Sequence, residues 1–196
     1  MKKIVLILIL AISACSPQKS ITDRVTLTSP DGDLSMEFLL EDGIPMYTLK
    51  HKGTDVLLPS RLGFEIRGSM KSALIRFDGD HITKSDVKPS FLLDRNFELL
   101  CTSNSSFDEY WEPVWGEESS IRNHYHELLV ELKQKESGHL LNIRFRLFDD
   151  GLGFRYEFPD KQRLTHFAIK EELTEFAMAD DCFAWWIPGD YDTQEY

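Results

Sequence analysis

Leu34-Ser35-Met36-Glu37-Phe38-Leu39-Leu40-Glu41-Asp42-Gly43 decides how this chain folds. Leu34, Met36 and Phe38 alternate with polar residues, so an extended strand buries one face and wets the other. Glu41-Asp42-Gly43 then breaks the run as a turn, because Asp and Gly tolerate the backbone conformations that tight turns need. Working outward, Met46, Thr48 and Lys50 alternate with Tyr47 and Leu49 before a turn at Lys52-Gly53. Val56 to Leu58 stops at Pro59, and Leu62, Phe64 and Ile66 alternate up to Gly68. Leu128–Lys133, Leu141–Phe148 and Phe154–Phe158 repeat the pattern, separated by Gly138 and by Asp149-Asp150-Gly151. The last tripeptide reads as a hairpin turn with positive backbone torsions. Short runs at regular spacing, bounded by Gly, Pro and Asp, predict an all-β antiparallel sandwich or barrel. Residues 119–128 fit either a short helix or a strand.

Composition narrows the function. The chain has 196 residues, with 33 acidic against 22 basic side chains, a net charge of −11 and a hydrophobic fraction of 42%. That apolar content excludes a wholly disordered chain. The acidic excess argues against a nucleic-acid partner, which calls for a basic face.

The N-terminus reads as an address. Lys2 and Lys3 precede an apolar run from Ile4 to Leu10, then Ser13-Ala14-Cys15. This is the layout of a secretory signal, and the run is too short to span a bilayer. Ile12-Ser13-Ala14-Cys15 resembles a bacterial lipobox, in which the cysteine is lipidated and becomes the mature N-terminus. The expected organisation is a signal peptide over 1–14, a tether and lead-in over 15–28, and a β-sandwich domain over 29–196. No acidic run follows Cys15, which favours the periplasmic face of an outer membrane, reached by acyl chains and not by a span. Cys101 and Cys182 are expected to be free and buried.

Aromatic and charged residues concentrate in three segments: Phe107–Glu127, Arg144–Pro159 and Trp185–Tyr196. Exposed Trp and Tyr beside carboxylates suit sugars, whose C–H faces stack on rings while their hydroxyls take polar bonds. Trp111, Trp115, Glu117 and Asn123 are candidates for such contacts, or for a core or domain interface. Trp185 and Trp186 point to opposite faces if extended. His124 and His126 would share a strand face, as metal ligands must, and Glu127 follows them. The plainer reading is local polar bonding, because no third ligand lies nearby. Arg144, Arg146 and Arg155 are expected to pair with Glu157 or neighbouring acids. Asp190, Asp192 and Glu195 are oxygen-rich and of the type a hard cation takes.

At these segments the chain resembles glycoside hydrolase family 97, bacterial exo-acting α-glycosidases. The stretches that carry the resemblance are LTSPDGDLSMEF, FDEYWEPVWGEESSIRNHYHEL, IRFRLFDDGLGFRYEFP and AWWIPGDYDTQEY. The resemblance implies a galactose-mutarotase-like β-super-sandwich packed on a catalytic (β/α)₈ barrel, with Ca²⁺ in the active site. It implies that Glu195 supplies one calcium ligand, while Asp190 and Asp192 shape the loop. The catalytic carboxylates would lie on the barrel, so no catalytic residue is expected here and the chain alone should be inactive. Its partners would be the barrel and an α-linked oligosaccharide, of maltose type or a galactoside. His126 stands where the family usually has Asn. The sandwich is expected to be incomplete at its C-terminal edge, with unpaired strand edges and exposed apolar surface. The alternative is a stand-alone carbohydrate-binding module without catalysis.

Overall fold

A computed structural model describes residues 23–67, 90–159, 164 and 167–185. Among them are eleven strands and no helix: β1 (Arg24–Thr28), β2 (Leu34–Glu41), β3 (Ile44–His51), β4 (Thr54–Arg61), β5 (Phe64–Arg67), β6 (Ser90–Leu93), β7 (Phe97–Trp111), β8 (Ile121–Gln134), β9 (Leu140–Leu147), β10 (Leu152–Glu157) and β11 (Ala168–Glu172). All named pairings are antiparallel.

The first four strands form a meander, β1-β2-β3-β4. Glu41 pairs with Ile44 and His51 pairs with Thr54, so two turns have two residues each. Asp42 and Gly43 have φ of 50° and 75°, and Lys52 and Gly53 have 50° and 82°. Positive torsions at both positions are what a twisted two-residue hairpin requires. Gly43 is held further: a Cβ there would stand 3.1 Å from the backbones of Asn96 and Phe97. The expected stop at Pro59 is not observed, because β4 continues to Arg61. In this sheet β4 is an edge, and an edge tolerates a residue with no N–H to donate. Leu58 and Ala179 donate their N–H groups across this edge to Ala177 and Val56.

The second sheet runs β10-β9-β8-β7. Residues 121–128 belong to a strand, which settles the helix-or-strand ambiguity. Asp149-Asp150-Gly151 does turn the chain, but none of the three has a positive φ. Leu147 pairs with Leu152, leaving a four-residue loop closed by Phe148 N–H donating to the Gly151 carbonyl at 2.8 Å. A loop of that length does not need the torsions of a two-residue turn. The third sheet, β11-β5-β6, joins residues far apart in the chain.

The core lies between the sheets. Phe38 and Tyr47 of the first meet Phe145 of the second at 6.3 and 6.1 Å, and Tyr47 meets Phe154 at 5.4 Å. Leu128, Val130 and Leu132 on β8 and Leu141 and Ile143 on β9 are fully buried beside them. Phe64 of the third sheet joins through Tyr156 at 4.4 Å and Phe158 at 5.5 Å. The Tyr47 hydroxyl donates to the Glu175 carbonyl at 3.0 Å, and burial pushes its pKa up to about 12. This is the antiparallel sandwich that the alternating runs predict.

Candidate functional site

Two features stand out on the second sheet. The first is the far end of the β7–β8 hairpin. β9 pairs with β8 from His126 to Lys133, whereas β7 follows β8 out to the Trp111–Ile121 pair. Residues 107–111 and 121–125 therefore form a two-stranded ribbon beyond the third strand. Alternation puts Phe107, Glu109, Trp111, Asn123 and Tyr125 on one face. Phe107 and Tyr125 stack with centroids 5.3 Å apart and planes 11° from parallel. Asn123 Nδ2 donates to Glu109 at 2.8 Å. On the other face Arg122 grips Asp108 with two bonds of 2.7 and 2.8 Å and lies 5.8 Å over the Tyr110 ring. The guanidinium holds the Asp108 carboxyl below its ordinary range. At the tip Val114 is fully exposed and Trp115 is 88% exposed.

The second feature is a charge network on the outward face of β8, β9 and β10. Glu127 is only 6% exposed although it points away from the core. Register places Arg146 directly across from it and Arg144 two residues along. Arg146 Nε donates to Glu127 at 2.8 Å and Arg144 Nη1 donates to its other oxygen. Arg144 Nε also reaches Glu157 at 2.7 Å, and Arg155 Nε reaches the same carboxylate at 2.9 Å. The Arg146 guanidinium lies 4.5 Å over Tyr125, which joins the network to the stacked pair on the ribbon. Burial works to raise the Glu127 pKa, but the bonds from Arg146 and Arg144 outweigh it and the net direction is down. Glu157 is also lowered, chiefly by the bond from Arg144.

The candidates fall into separate places. Trp111, Trp115 and Glu117 lie exposed at the hairpin end. Asn123 and His124 are neighbours on opposite faces of the ribbon. Glu127 is the hub of the arginine network. His124 and His126 share a face, but His126 donates from Nδ1 to the Thr28 carbonyl at 2.7 Å. His124 Nδ1 is buried and has no hydrogen-bond partner among the described residues. No group of three or more His, Cys, Asp or Glu placed to hold a metal ion occurs among the described residues. Asp190, Asp192, Glu195, Trp186 and Cys15 lie outside them. Trp185 is exposed. Cys101 and Cys182 are both free as expected, but neither is buried: Cys101 is half-buried and Cys182 is exposed. Sequence reasoning missed the Phe107–Tyr125–Arg146 stack. Its signal is cross-strand register, which residue types alone do not disclose.

Comparison with known proteins supplies the context. Residues 27–196 match the family model described as Glycosyl-hydrolase 97 N-terminal. A variant of a glycoside hydrolase family 97 enzyme from Pseudoalteromonas sp. strain K8, solved with panose, is similar at a TM-score of 0.64 and 27% identity. The enzyme from the same strain solved with acarbose gives the same values. In both cases the match covers 80% of this chain and 20% of the solved one. A β-arabinopyranosidase crystal structure shares the fold at a TM-score of 0.60 and 22% identity, covering 79% of this chain and 21% of that one. The chain thus spans about a fifth of the length of the enzymes it matches.

Proposed function

This chain belongs to the glycosyl-hydrolase 97 N-terminal family, and from that membership we propose that it serves as the sandwich domain flanking the active site of a calcium-dependent, exo-acting α-glycosidase. The observation that carries the reading is the family match over residues 27–196. Hydrolysis in this reading is the work of paired carboxylates on a barrel that follows the sandwich. The sandwich contributes surface. Trp111, Trp115, Glu117 and Asn123 give rings and polar groups to an α-linked oligosaccharide, of maltose type or a galactoside, or to the barrel. Asp190 and Asp192 shape the loop that presents Glu195, and Glu195 supplies one oxygen ligand to Ca²⁺. Calcium takes about six to eight oxygens, and the described residues offer no cluster of their own. In this reading the remaining ligands come from the barrel. The similar enzymes solved with panose and acarbose support a saccharide partner. Cys15 carries the lipid that holds the protein to the periplasmic face of the outer membrane.

The chain alone should leave nitrophenyl α-glucosides and α-galactosides intact and bind calcium weakly. Joined to a family 97 barrel it should gain both hydrolysis and tight calcium binding, and Glu195→Gln should weaken the latter. Hydrolysis by the chain alone, or calcium affinity indifferent to Glu195, overturns this reading. Exposure of Trp115 and Tyr110 favours a second one, a carbohydrate-binding module without catalysis. Saturable calorimetric binding of panose to the chain alone, lost in Trp115→Ala, would select it.

A further inference from the structure

The outward face of β9 and β10 carries a pocket that the glycosidase reading does not use. Its volume is about 190 Å³, and Arg144, Arg146, Arg155, Phe148 and Gly153 line it. Gly153 sits directly across from Arg146. A Cβ at Gly153 would meet nothing within 4 Å, and its φ lies outside the left-handed region. The backbone therefore does not require glycine here. What the missing side chain provides is the space.

Three arginines line that space together with Phe148 and Phe154, and two carboxylates answer their guanidinium groups. Arg144 is engaged at all three of its nitrogens: Nε and Nη2 donate to Glu157 and Nη1 donates to Glu127. Arg146 uses Nε alone, toward Glu127. Arg155 directs Nε and Nη2 at one oxygen of Glu157. Both terminal amino groups of Arg146 and one of Arg155 thus have no hydrogen-bond partner among the described residues, at the rim of one pocket. The cluster carries one excess positive charge in a chain of net charge −11. Arg146 is pinned between Glu127 and the Tyr125 ring, so its free donors are held in place before any ligand arrives. Phe148 adds an apolar wall, braced 5.1 Å from Tyr125.

We propose that this pocket binds a small ring-bearing organic anion, its carboxylate or phosphate bridged by Arg146 and Arg155 and its ring laid against Phe148. Guanidinium forks are suited to such oxyanions because they offer parallel donors at fixed spacing. The site stands independently of the glycosidase reading, since neither the barrel nor calcium enters it.

Calorimetric or NMR titration of the chain with glucuronate, glucose 6-phosphate and glucose tests it. At least one anion should bind with a Kd of about 1 mM or tighter, and glucose should not. The anion that binds tells whether carboxylate or phosphate is the ligand. Gly153→Leu should fill the pocket, leave the thermal melt unchanged and abolish binding. Arg155→Gln, which leaves both bonds from Arg144 to Glu157 in place, should weaken binding about tenfold. Binding by neither anion, equal binding of glucose, or undiminished affinity in both variants overturns the proposal.

Discussion

Glu127 faces outward from its sheet, yet Arg144, Arg146 and their neighbours shut it off from water. A carboxylate in that position is costly unless paired, and removing its charge strands the two guanidiniums that were arranged around it. Glu127→Gln should therefore destabilise the fold by about 2 kcal/mol at neutral pH, measured by urea denaturation. The pH dependence has a definite sign. Glu127 and Glu157 both titrate below the ordinary glutamate value of 4.5. As pH falls the unfolded chain takes up protons first, so the network contributes fully above that value and fades as pH drops through the lower folded-state pKa values. The penalty of Glu127→Gln should shrink in acid, and an equal penalty at neutral and acid pH would refute the pairing. The sequence marked Glu127 as a candidate by type and company. Its role as a hub was hidden, because that depends on which residues of β9 lie opposite it.

Hairpins were the most legible elements. Asp42-Gly43 and Lys52-Gly53 announce turns by residue type, and both form with the torsions those residues permit. The two glycines nevertheless differ in surroundings. Around Gly53 there is open space, while Gly43 lies against the Asn96–Phe97 backbone and its carbonyl accepts the Phe97 N–H at 2.9 Å. Gly53→Ala should cost about 1 kcal/mol, from torsion alone. Gly43→Ala should cost about 2–3 kcal/mol, from torsion plus the close approach. Thermal melts of the two variants would test the ranking, and equal losses would contradict it. Less legible was the passage through Pro59, since edge position is a property of the sheet and not of the local run. The same holds for Asp149-Asp150-Gly151, where a turn was readable but its length was not. A one-residue difference in strand ends changes the torsions a loop requires.

For the molecule entire, alternation predicted the sandwich, but the pairing of β5 with both β6 and β11 could not be read, because those partners are distant along the chain. The address signal makes its own forecast. The chain should sediment with membranes and be released by detergent, and Cys15→Ser should move it to the soluble periplasmic fraction. Membrane association that persists in Cys15→Ser would rule out lipidation as the anchor. Among the described residues no helix is long and apolar enough to cross a membrane.

The β7–β8 ribbon has a mechanical consequence. Among the described residues no third strand pairs with it beyond His126, and over that span it is a cantilever fixed at one end. At about 3.3 Å per residue, the four steps from Tyr125 to Ile121 reach about 13 Å past the support. A tilt of about ten degrees at the root would then displace the Trp111 end by about 2 Å, more than the tolerance of a hydrogen bond. The Phe107–Tyr125–Arg146 stack sits at that root, so it acts as a brace: what it fixes is less a local contact than the aim of everything farther out.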